Sequence, residues 1–116
     1  MKLGHIEIFV KDPLKSKDFY GEVLGFEVTD VQDDKFVWLK YGSAEILLRP
    51  GKTSESPPTY QDASTAIVFY TDNLDQSVDE LKKRGLEFRG IDGSERCLTF
   101  TDPDGHWFQL VNPNEH

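Results

Sequence analysis

The hydrophobic pattern at the start of the chain predicts one strand followed by one helix. Over residues 5–10 the aliphatic side chains at 6, 8 and 10 alternate with His5, Glu7 and Phe9, which is typical of a strand with two different faces. Asp12 and Pro13 come next, and they favour a helix start: an aspartate accepts hydrogen bonds from the first turn, and proline tolerates the first helical position. The spacing predicts a helix over 13–24 that ends at Gly25.

The rest of the chain predicts three more strands and then a second copy of the same order. Short apolar runs separated by polar turns predict strands over 26–31, 35–40 and 44–49. About 60 residues further on, Asp72 stands where Asp12 stands in the first copy, and it is predicted to cap the second helix. The elements predicted for this copy are a strand over 66–70, a helix over 74–84, and strands over 87–91, 96–100 and 106–112.

We therefore predict an α+β fold of two tandem βαβββ modules within a single domain over 1–116. Module one spans 3–50 and module two spans 64–112, joined by a polar, proline-rich linker over 51–63. A core of about 50 residues is marginal alone, so we expect the modules to pack into one body. The sheet sides that face the helices would form the core, and the other sides would line a shared concave cavity.

Charge and composition narrow the range of partners. The chain has 13 Lys and Arg against 21 Asp and Glu, a net charge of −8, which disfavours nucleic acid and anionic membrane surfaces. No apolar run approaches the ~20 residues of a membrane helix, and no signal-peptide pattern is present. The single cysteine cannot form an intrachain disulfide, which predicts a cytoplasmic protein. The acidic net charge is compatible with a cationic ligand.

Three segments carry a family resemblance: HIEIFV at 5–10, DFYGEVLGFEV at 18–28, and FTDPDGHWFQL at 100–110. Together they resemble the vicinal oxygen chelate superfamily, which includes glyoxalase I, bleomycin- and fosfomycin-resistance proteins and extradiol dioxygenases. The resemblance implies a glyoxalase/bleomycin-resistance-type fold with a concave sheet cavity, in a homodimer. These motifs hold helix, turn and sheet together, so they support a fold and not a particular reaction.

The resemblance also implies where a divalent metal would be bound, in the first and last strands of each half. Those positions are His5, Leu47, Ala66 and Gln109 in this chain. Leu47 and Ala66 carry no donor atom, and Gln109 offers a neutral carbonyl oxygen where the family has Glu. One imidazole and one amide form a poor donor set, so we expect no metal cofactor. The alternative is a displaced metal site in which Glu7 or Glu45 joins His5.

Strand parity predicts the side chains that face the cavity. The ligand-binding residues predicted in this way are His5, Glu7, Phe9, Trp38, Glu45, Leu47, Arg49, Tyr70, Trp107 and Gln109. The charged members either orient a polar ligand or are solvated in a wet groove, and the aromatic members either stack on a ligand or pack in the core. No spacing selects a catalytic residue.

Three functions follow from these observations. The first is a metal-independent small-molecule binder similar to the bleomycin-resistance branch, with a role in antibiotic resistance. The second is a divalent-metal-dependent lyase, isomerase or dioxygenase acting on vicinal oxygens, in which the metal acts as a Lewis acid. The third is a non-catalytic interaction subunit, favoured if Phe9, Trp38 and Trp107 themselves fill the concavity.

Overall fold

The computed structural model of the protein describes residues 1–52 and 55–115, and the chain divides into two units, 1–54 and 55–116. Part of the predicted linker, residues 53 and 54, lies outside the described residues. Each unit contains one four-stranded sheet and one main helix, as the repeat predicts. Among the described residues, no helix has the length and apolar character that crossing a membrane requires.

The first unit follows the predicted βαβββ order. Its elements are β1 (Ile6–Val10), α1 (Pro13–Asp18), a π-helical turn (Phe19–Val23), β2 (Glu27–Gln32), β3 (Phe36–Tyr41) and β4 (Ala44–Pro50). The strands lie in the order β1-β4-β3-β2, with β1 and β4 parallel and the other pairs antiparallel. A parallel pairing of the first and last strands requires a crossover, and α1 supplies it.

The start and the end of the first helical segment agree with the prediction. Asp12 Oδ1 accepts hydrogen bonds from the backbone N of Leu14 at 3.2 Å and of Lys15 at 3.4 Å. The helix continues into the π-helical turn, where the backbone N of Leu24 donates to Phe19 O at 3.1 Å. Gly25 then has φ of 87°, a left-handed conformation that glycine adopts without strain, so the chain leaves the helix there.

One face of the first sheet packs toward α1 and forms the core of the unit. The buried strand side chains on this face alternate along β1, β3 and β4: Ile8, Val10, Val37, Leu39, Ile46 and Leu48. Tyr20 and Phe26 contact each other edge to face at 5.6 Å between ring centroids, and both are buried. The strand parity predicted from the sequence is therefore confirmed for this unit, and the remaining strand positions lie on the side turned away from α1.

The second unit repeats this order. Its elements are β5 (Ile67–Tyr70), α2 (Leu74–Lys83), β6 (Ile91–Asp92), β7 (Ser94–Thr101) and β8 (Trp107–Val111), with strand order β5-β8-β7-β6. The rings of Phe69, Phe100 and Phe108 stack on the core side, with the centroids of Phe100 and Phe108 at 5.2 Å. Short 3₁₀ turns cover Tyr60–Asp62 and Pro113–Glu115.

Two predicted details of the second unit are wrong. The cap of α2 is Asn73 and not Asp72: the Asn73 backbone is extended, and its side chain accepts from Gln76 N at 3.1 Å. The predicted strand over 87–91 is reduced to the two residues of β6. Gly90 has φ of 89° and leaves only an irregular contact with β7, in which Arg89 N donates to Thr99 O at 2.7 Å.

Candidate functional site

The side of the first sheet that is turned away from α1, here named the outer face, carries most of the predicted site residues. The strand register forms a row across the four strands, in which Glu7 pairs with Leu47, Leu47 with Trp38, and Trp38 with Asp30. Arg49 lies beside Phe9 in the next row. Because side chains of a strand alternate between faces, these residues point to the same side of the sheet.

Glu7 is the centre of a hydrogen-bonded chain on the outer face. Its Oε2 lies 2.8 Å from His5 Nε2, and its Oε1 accepts from Arg49 Nη1 at 3.0 Å. The bond from His5 is the main reason that the pKa of Glu7 is held below its ordinary value, and the bond from Arg49 adds to it. Both oxygens of this carboxylate are therefore engaged by protein groups.

Arg49 lies between two aromatic rings. Its guanidinium carbon is 5.0 Å from the ring centroid of Phe9 and 5.5 Å from that of Phe36. The side chain is 37% exposed, but its Nε is enclosed and has no hydrogen-bond partner among the described residues. Aromatic faces attract a guanidinium and restrict its rotation, so the planar group is held in one orientation.

Leu47 lies under a contact between two rings. The His5 and Trp38 rings meet edge to face with centroids 4.7 Å apart. His5 directly precedes β1 and Trp38 lies in β3, and β4 lies between these two strands, so the rings meet above β4. Leu47 is only 6% exposed for this reason. Trp38 Nε1 donates to Gln32 Oε1 at 3.3 Å, which fixes the indole at its outer edge.

Glu45 also lies on the outer face, but at its far end. It is exposed and pairs with Lys40 across the β3–β4 ladder. Four residues separate it from Arg49 along β4, which is roughly 13 Å for an extended strand. The structure therefore brings His5, Glu7 and Arg49 together and leaves Glu45 apart from them.

The predicted residues of the second unit have different surroundings. Trp107 is 3% exposed and Gln109 9% exposed, whereas Tyr70 at the end of the edge strand β5 is 74% exposed. Trp107 Nε1 donates to Pro57 O at 2.9 Å, and Gln109 Nε2 donates to Tyr60 Oη at 2.9 Å. Trp107 and Gln109 are thus enclosed by residues of the chain itself.

The enclosing residues belong to segment 55–63, which we name the covering segment. Besides the contacts of Pro57 and Tyr60, Ser56 Oγ donates to Gly105 O at 3.0 Å, and Gln61 Nε2 donates to Ile91 O at 3.0 Å. Sequence reasoning missed this role because the segment is mostly polar and contains two prolines. Tyr60 is the one signal that pointed to it, because an aromatic side chain in a polar stretch usually has a packing partner.

A second pair that sequence reasoning missed holds the turn before β8. His106 Nδ1 lies 2.8 Å from Asp102 Oδ2, and the Asp102 side chain has no exposed surface. Asp102 Oδ1 also accepts from the backbone N of Asp104 at 3.0 Å and of His106 at 2.9 Å. The aspartate therefore stabilises the turn that leads into β8, beside Trp107.

The donor atoms at the superfamily's metal positions do not fit a divalent cation. Leu47 and Ala66 have none, and the amide nitrogen of Gln109 donates to Tyr60. Across residues 1–52 and 55–115, no group of three or more His, Cys, Asp or Glu side chains is placed to hold a metal ion. The displaced alternative has a further obstacle, because the Arg49 guanidinium 3.0 Å from Glu7 opposes a second cation there.

Comparison with known proteins gives the family and related folds. A model of the Glyoxalase/Bleomycin resistance protein/Dioxygenase superfamily matches residues 2–110. The fosfomycin resistance protein FosX from Mesorhizobium loti has a TM-score of 0.74 at 20% identity, over 98% of this chain and 94% of that one. FosX from Listeria monocytogenes, complexed with Mn(II) and 1S,2S-dihydroxypropylphosphonic acid, has a TM-score of 0.73 at 23% identity, over 95% and 88%.

A third structure has a different described role. TnmS3, an antibiotic binding protein from Streptomyces sp. CB03234, has a TM-score of 0.71 at 25% identity, over 97% of this chain and 98% of that one. These likenesses agree with the α+β fold and the resemblance predicted from the sequence, and both predictions are confirmed. Since the family model spans nearly the whole chain and both units have the βαβββ order, the protein belongs to the Glyoxalase/Bleomycin resistance protein/Dioxygenase superfamily.

Proposed function

We propose that the protein binds a small molecule on the outer face of the first sheet without using a divalent metal. The observation that carries this proposal is the Leu47 position. Where the superfamily resemblance places a metal ligand, the chain has an apolar side chain beneath the His5 and Trp38 rings. The two rings above this leucine offer an aromatic ligand a surface for dispersion and hydrophobic contact, and the leucine offers a metal ion no donor atom.

The surroundings of Leu47 support ligand binding in a second way. Polar groups of His5, Glu7 and Arg49 adjoin the apolar centre, and each of these side chains is about one third exposed. An apolar surface with a few fixed polar groups is the usual composition of a small-molecule site. TnmS3, which has the same fold, is an antibiotic binding protein, and its likeness supports a binding role for this chain.

A metal-dependent lyase, isomerase or dioxygenase is the second candidate. One observation favours it: His5 Nε2 and Glu7 Oε2, two metal-binding atom types, lie 2.8 Å apart. The Mn(II) complex of the Listeria FosX adds support from the same fold. The third candidate is a non-catalytic interaction subunit, and the burial of Trp107 supports it. Phe9, however, is 45% exposed and leaves the outer face accessible.

A metal titration distinguishes the first two candidates. The purified protein would be analysed for bound metals, and its melting temperature would be measured with Ni²⁺, Mn²⁺, Zn²⁺ and Fe²⁺. We expect no saturable stabilisation. A metal-dependent rise in melting temperature that is lost in His5→Ala would overturn the proposal in favour of the metal enzyme.

Ligand binding is tested directly by ligand-observed NMR with a library of aromatic small molecules in buffer containing EDTA. We expect some library compounds to change their NMR signals when the parent protein is added. The same compounds should show no change when the Trp38→Leu variant is added. Tyr41→Leu is the matched control, because Tyr41 is an exposed aromatic of the same strand on the opposite side of the sheet. The absence of any hit, or equal loss of hits in both variants, contradicts binding on the outer face.

We also propose that the protein is a cytoplasmic homodimer. Pairing of two copies would cover sheet edges such as β2 and β6, which have only one hydrogen-bonded neighbour. Light scattering at micromolar concentration tests the dimer, and the mass of a monomer contradicts it.

A further inference from the structure

Arg49 presents N–H groups for which the described residues supply no acceptor. A guanidinium carries five N–H donors in a planar fork. In Arg49 one donor is used by Glu7, and the Nε–H is enclosed. Among the described residues, the other terminal N–H groups of Arg49 meet no protein acceptor, and the side chain is 37% exposed. Their partners must therefore come from solvent or from a ligand.

The charge of the nearest carboxylate is already paired. Glu7 has one oxygen on His5 and the other on the Arg49 guanidinium, so it attracts a further cation less than an unpaired carboxylate would. Of the other carboxylates on the outer face, Asp30 accepts from Gln32 Nε2 at 3.2 Å, and Glu45 lies across from Lys40. Beside the Phe9 and Phe36 rings, the charged group that is open to a new hydrogen bond is Arg49.

Aromatic and apolar surface adjoins this guanidinium. Phe9 and Phe36 flank Arg49, and Leu47 is the next residue of β4 on the same face, roughly 7 Å along the strand. Trp38 pairs with Leu47. Leu47 is only 6% exposed, so the surface open to a ligand is the Trp38 ring above it, and a planar molecule can lie against this ring while its edge reaches Arg49.

We infer that the ligand of the outer face is a planar aromatic carboxylate, with its carboxylate bound by the terminal N–H groups of Arg49 and its rings stacked on Trp38. This inference rests on the proposed binding function and adds the chemical class of the ligand. A carboxylate matches the planar fork of a guanidinium, and hydrogen bonds between two charged groups are the strong ones.

The net charge of −8 does not oppose this assignment at close range. At physiological ionic strength the Debye length is about 8 Å, so charges beyond that distance are largely screened. Within this range of Arg49 the carboxylate in contact is Glu7, whose charge the guanidinium offsets. Glu45, roughly 13 Å along β4, contributes little. The charges paired next to Arg49 therefore decide which ligand charge is favoured at this site.

The test uses three probes that share one ring system and differ in charge: 2-naphthoate, 2-naphthamide and 2-naphthylmethylammonium. Affinities would be measured by isothermal titration calorimetry on the full chain in buffer containing EDTA. We expect 2-naphthoate to bind at least about tenfold more tightly than the amide. This ratio corresponds to the contribution of one hydrogen bond to a charged group. The ammonium probe should bind more weakly than the amide.

Two arginine variants assign the preference to one side chain. Arg49→Gln should reduce the affinity for 2-naphthoate to that of the amide, about a tenfold loss. Arg89→Gln is the matched control: it removes the same charge, and Arg89 also lies over an aromatic ring, with its guanidinium carbon 5.1 Å from the Trp107 centroid in the second unit. It should leave all three affinities unchanged. Thermal melts of both variants confirm that they are folded.

The outcomes separate the inference from the function on which it rests. Equal or tighter binding of the amide or the ammonium probe overturns the carboxylate assignment and leaves small-molecule binding intact. Retention of the naphthoate preference in Arg49→Gln overturns the assignment to Arg49. If none of the three probes binds, both the ligand class and the proposed binding of planar aromatics on this face are contradicted.

Discussion

Glu7 and Arg49 are 42 residues apart in sequence and are joined by a hydrogen bond of 3.0 Å across the parallel strands β1 and β4. The pair gives the outer face its local charge, because a carboxylate that alone would attract cations is bound to a guanidinium. His5 engages the second oxygen of the same carboxylate. The acidity of the whole chain therefore does not describe the charge that a ligand meets at this site.

The pKa of Glu7 provides the first prediction. Because His5 and then Arg49 lower it, the Glu7 carboxyl should titrate below its ordinary value of about 4.5 in an NMR titration of the folded protein. His5→Ala should raise the pKa most, Arg49→Gln should also raise it, and Arg89→Gln should not move it. A titration of Glu7 at or above 4.5 in the parent protein would contradict the hydrogen-bonded chain.

The lowered pKa of Glu7 also predicts how the stability of the protein depends on pH. A pKa that is lower in the folded than in the unfolded state contributes stability above the unfolded value, and this contribution is lost as pH falls through the folded value. Stability should therefore decrease below about pH 4.5. In urea denaturation series between pH 3 and 7, the free energy of unfolding of Glu7→Gln should fall less at low pH than that of the parent. The decrease that remains in the variant comes from other carboxylates.

The structure shows which parts of this arrangement a sequence can predict. The two faces of β1 and β4 follow from alternation, because one face is buried and a register error would expose Ile8 or Leu48. The contact between Glu7 and Arg49 does not follow from it. Their meeting depends on which strands become neighbours, and sequence order places β2 and β3 between them.

The errors have local physical causes. Asp72 and Asn73 are both good capping residues, and only the backbone conformation shows that Asn73 has the extended geometry of the cap. The covering segment lacks periodicity, since its contacts run from Pro57 and Tyr60 to single groups such as Trp107 Nε1. No alternation rule describes contacts of this kind.

Replacement of Leu47 by a histidine should create a metal-binding site. Leu47 lies directly across from Glu7, and His5 is on the same face, so Leu47→His would place three donor side chains together. Because the Arg49 guanidinium opposes a cation beside Glu7, the test combines Leu47→His with Arg49→Gln. We expect Ni²⁺ or Zn²⁺ to raise the melting temperature of this combined variant by several degrees, and that of the parent by nothing measurable. The rise should disappear when His5→Ala is added.

A histidine at exposed Val31 is the control for this experiment. Val31 lies on β2 and pairs with Val37, whose side chain belongs to the core face, so the added imidazole has no donor partner on the outer face. Val31→His should show no metal-dependent rise. A similar rise in both histidine variants would mean that the metal binds nonspecifically to the protein surface.

The covering segment contributes stability through Tyr60. Tyr60→Phe removes the acceptor of a hydrogen bond from Gln109 Nε2, and Gln109 is 9% exposed, so its amide loses a partner that water replaces poorly. We expect a loss of about 1 kcal/mol in the free energy of unfolding, measured in urea. Tyr70→Phe, at a residue that is 74% exposed, should change stability by less than about 0.5 kcal/mol.

The two tryptophans should differ in their accessibility to a quencher. Trp107 is 3% exposed, with its indole N–H on Pro57, whereas Trp38 is half-buried at the outer face. In Trp38→Phe the emission of Trp107 should resist acrylamide. In Trp107→Phe the emission of Trp38 should be quenched several times more strongly. Equal quenching in the two variants would show that the covering segment does not enclose Trp107.

Asp102 and His106 should contribute unequally to the turn that precedes β8. Asp102→Ala removes a buried carboxylate that accepts from two backbone N–H groups and from His106 Nδ1, so we expect a loss of about 2–3 kcal/mol in urea denaturation. His106→Ala removes the ring contact with Asp102 but leaves the two backbone hydrogen bonds of the aspartate, and it should cost about 1 kcal/mol. The double variant should cost no more than Asp102→Ala, because the histidine acts through the aspartate. Equal losses in the two single variants would instead place the main support of the turn in the imidazole.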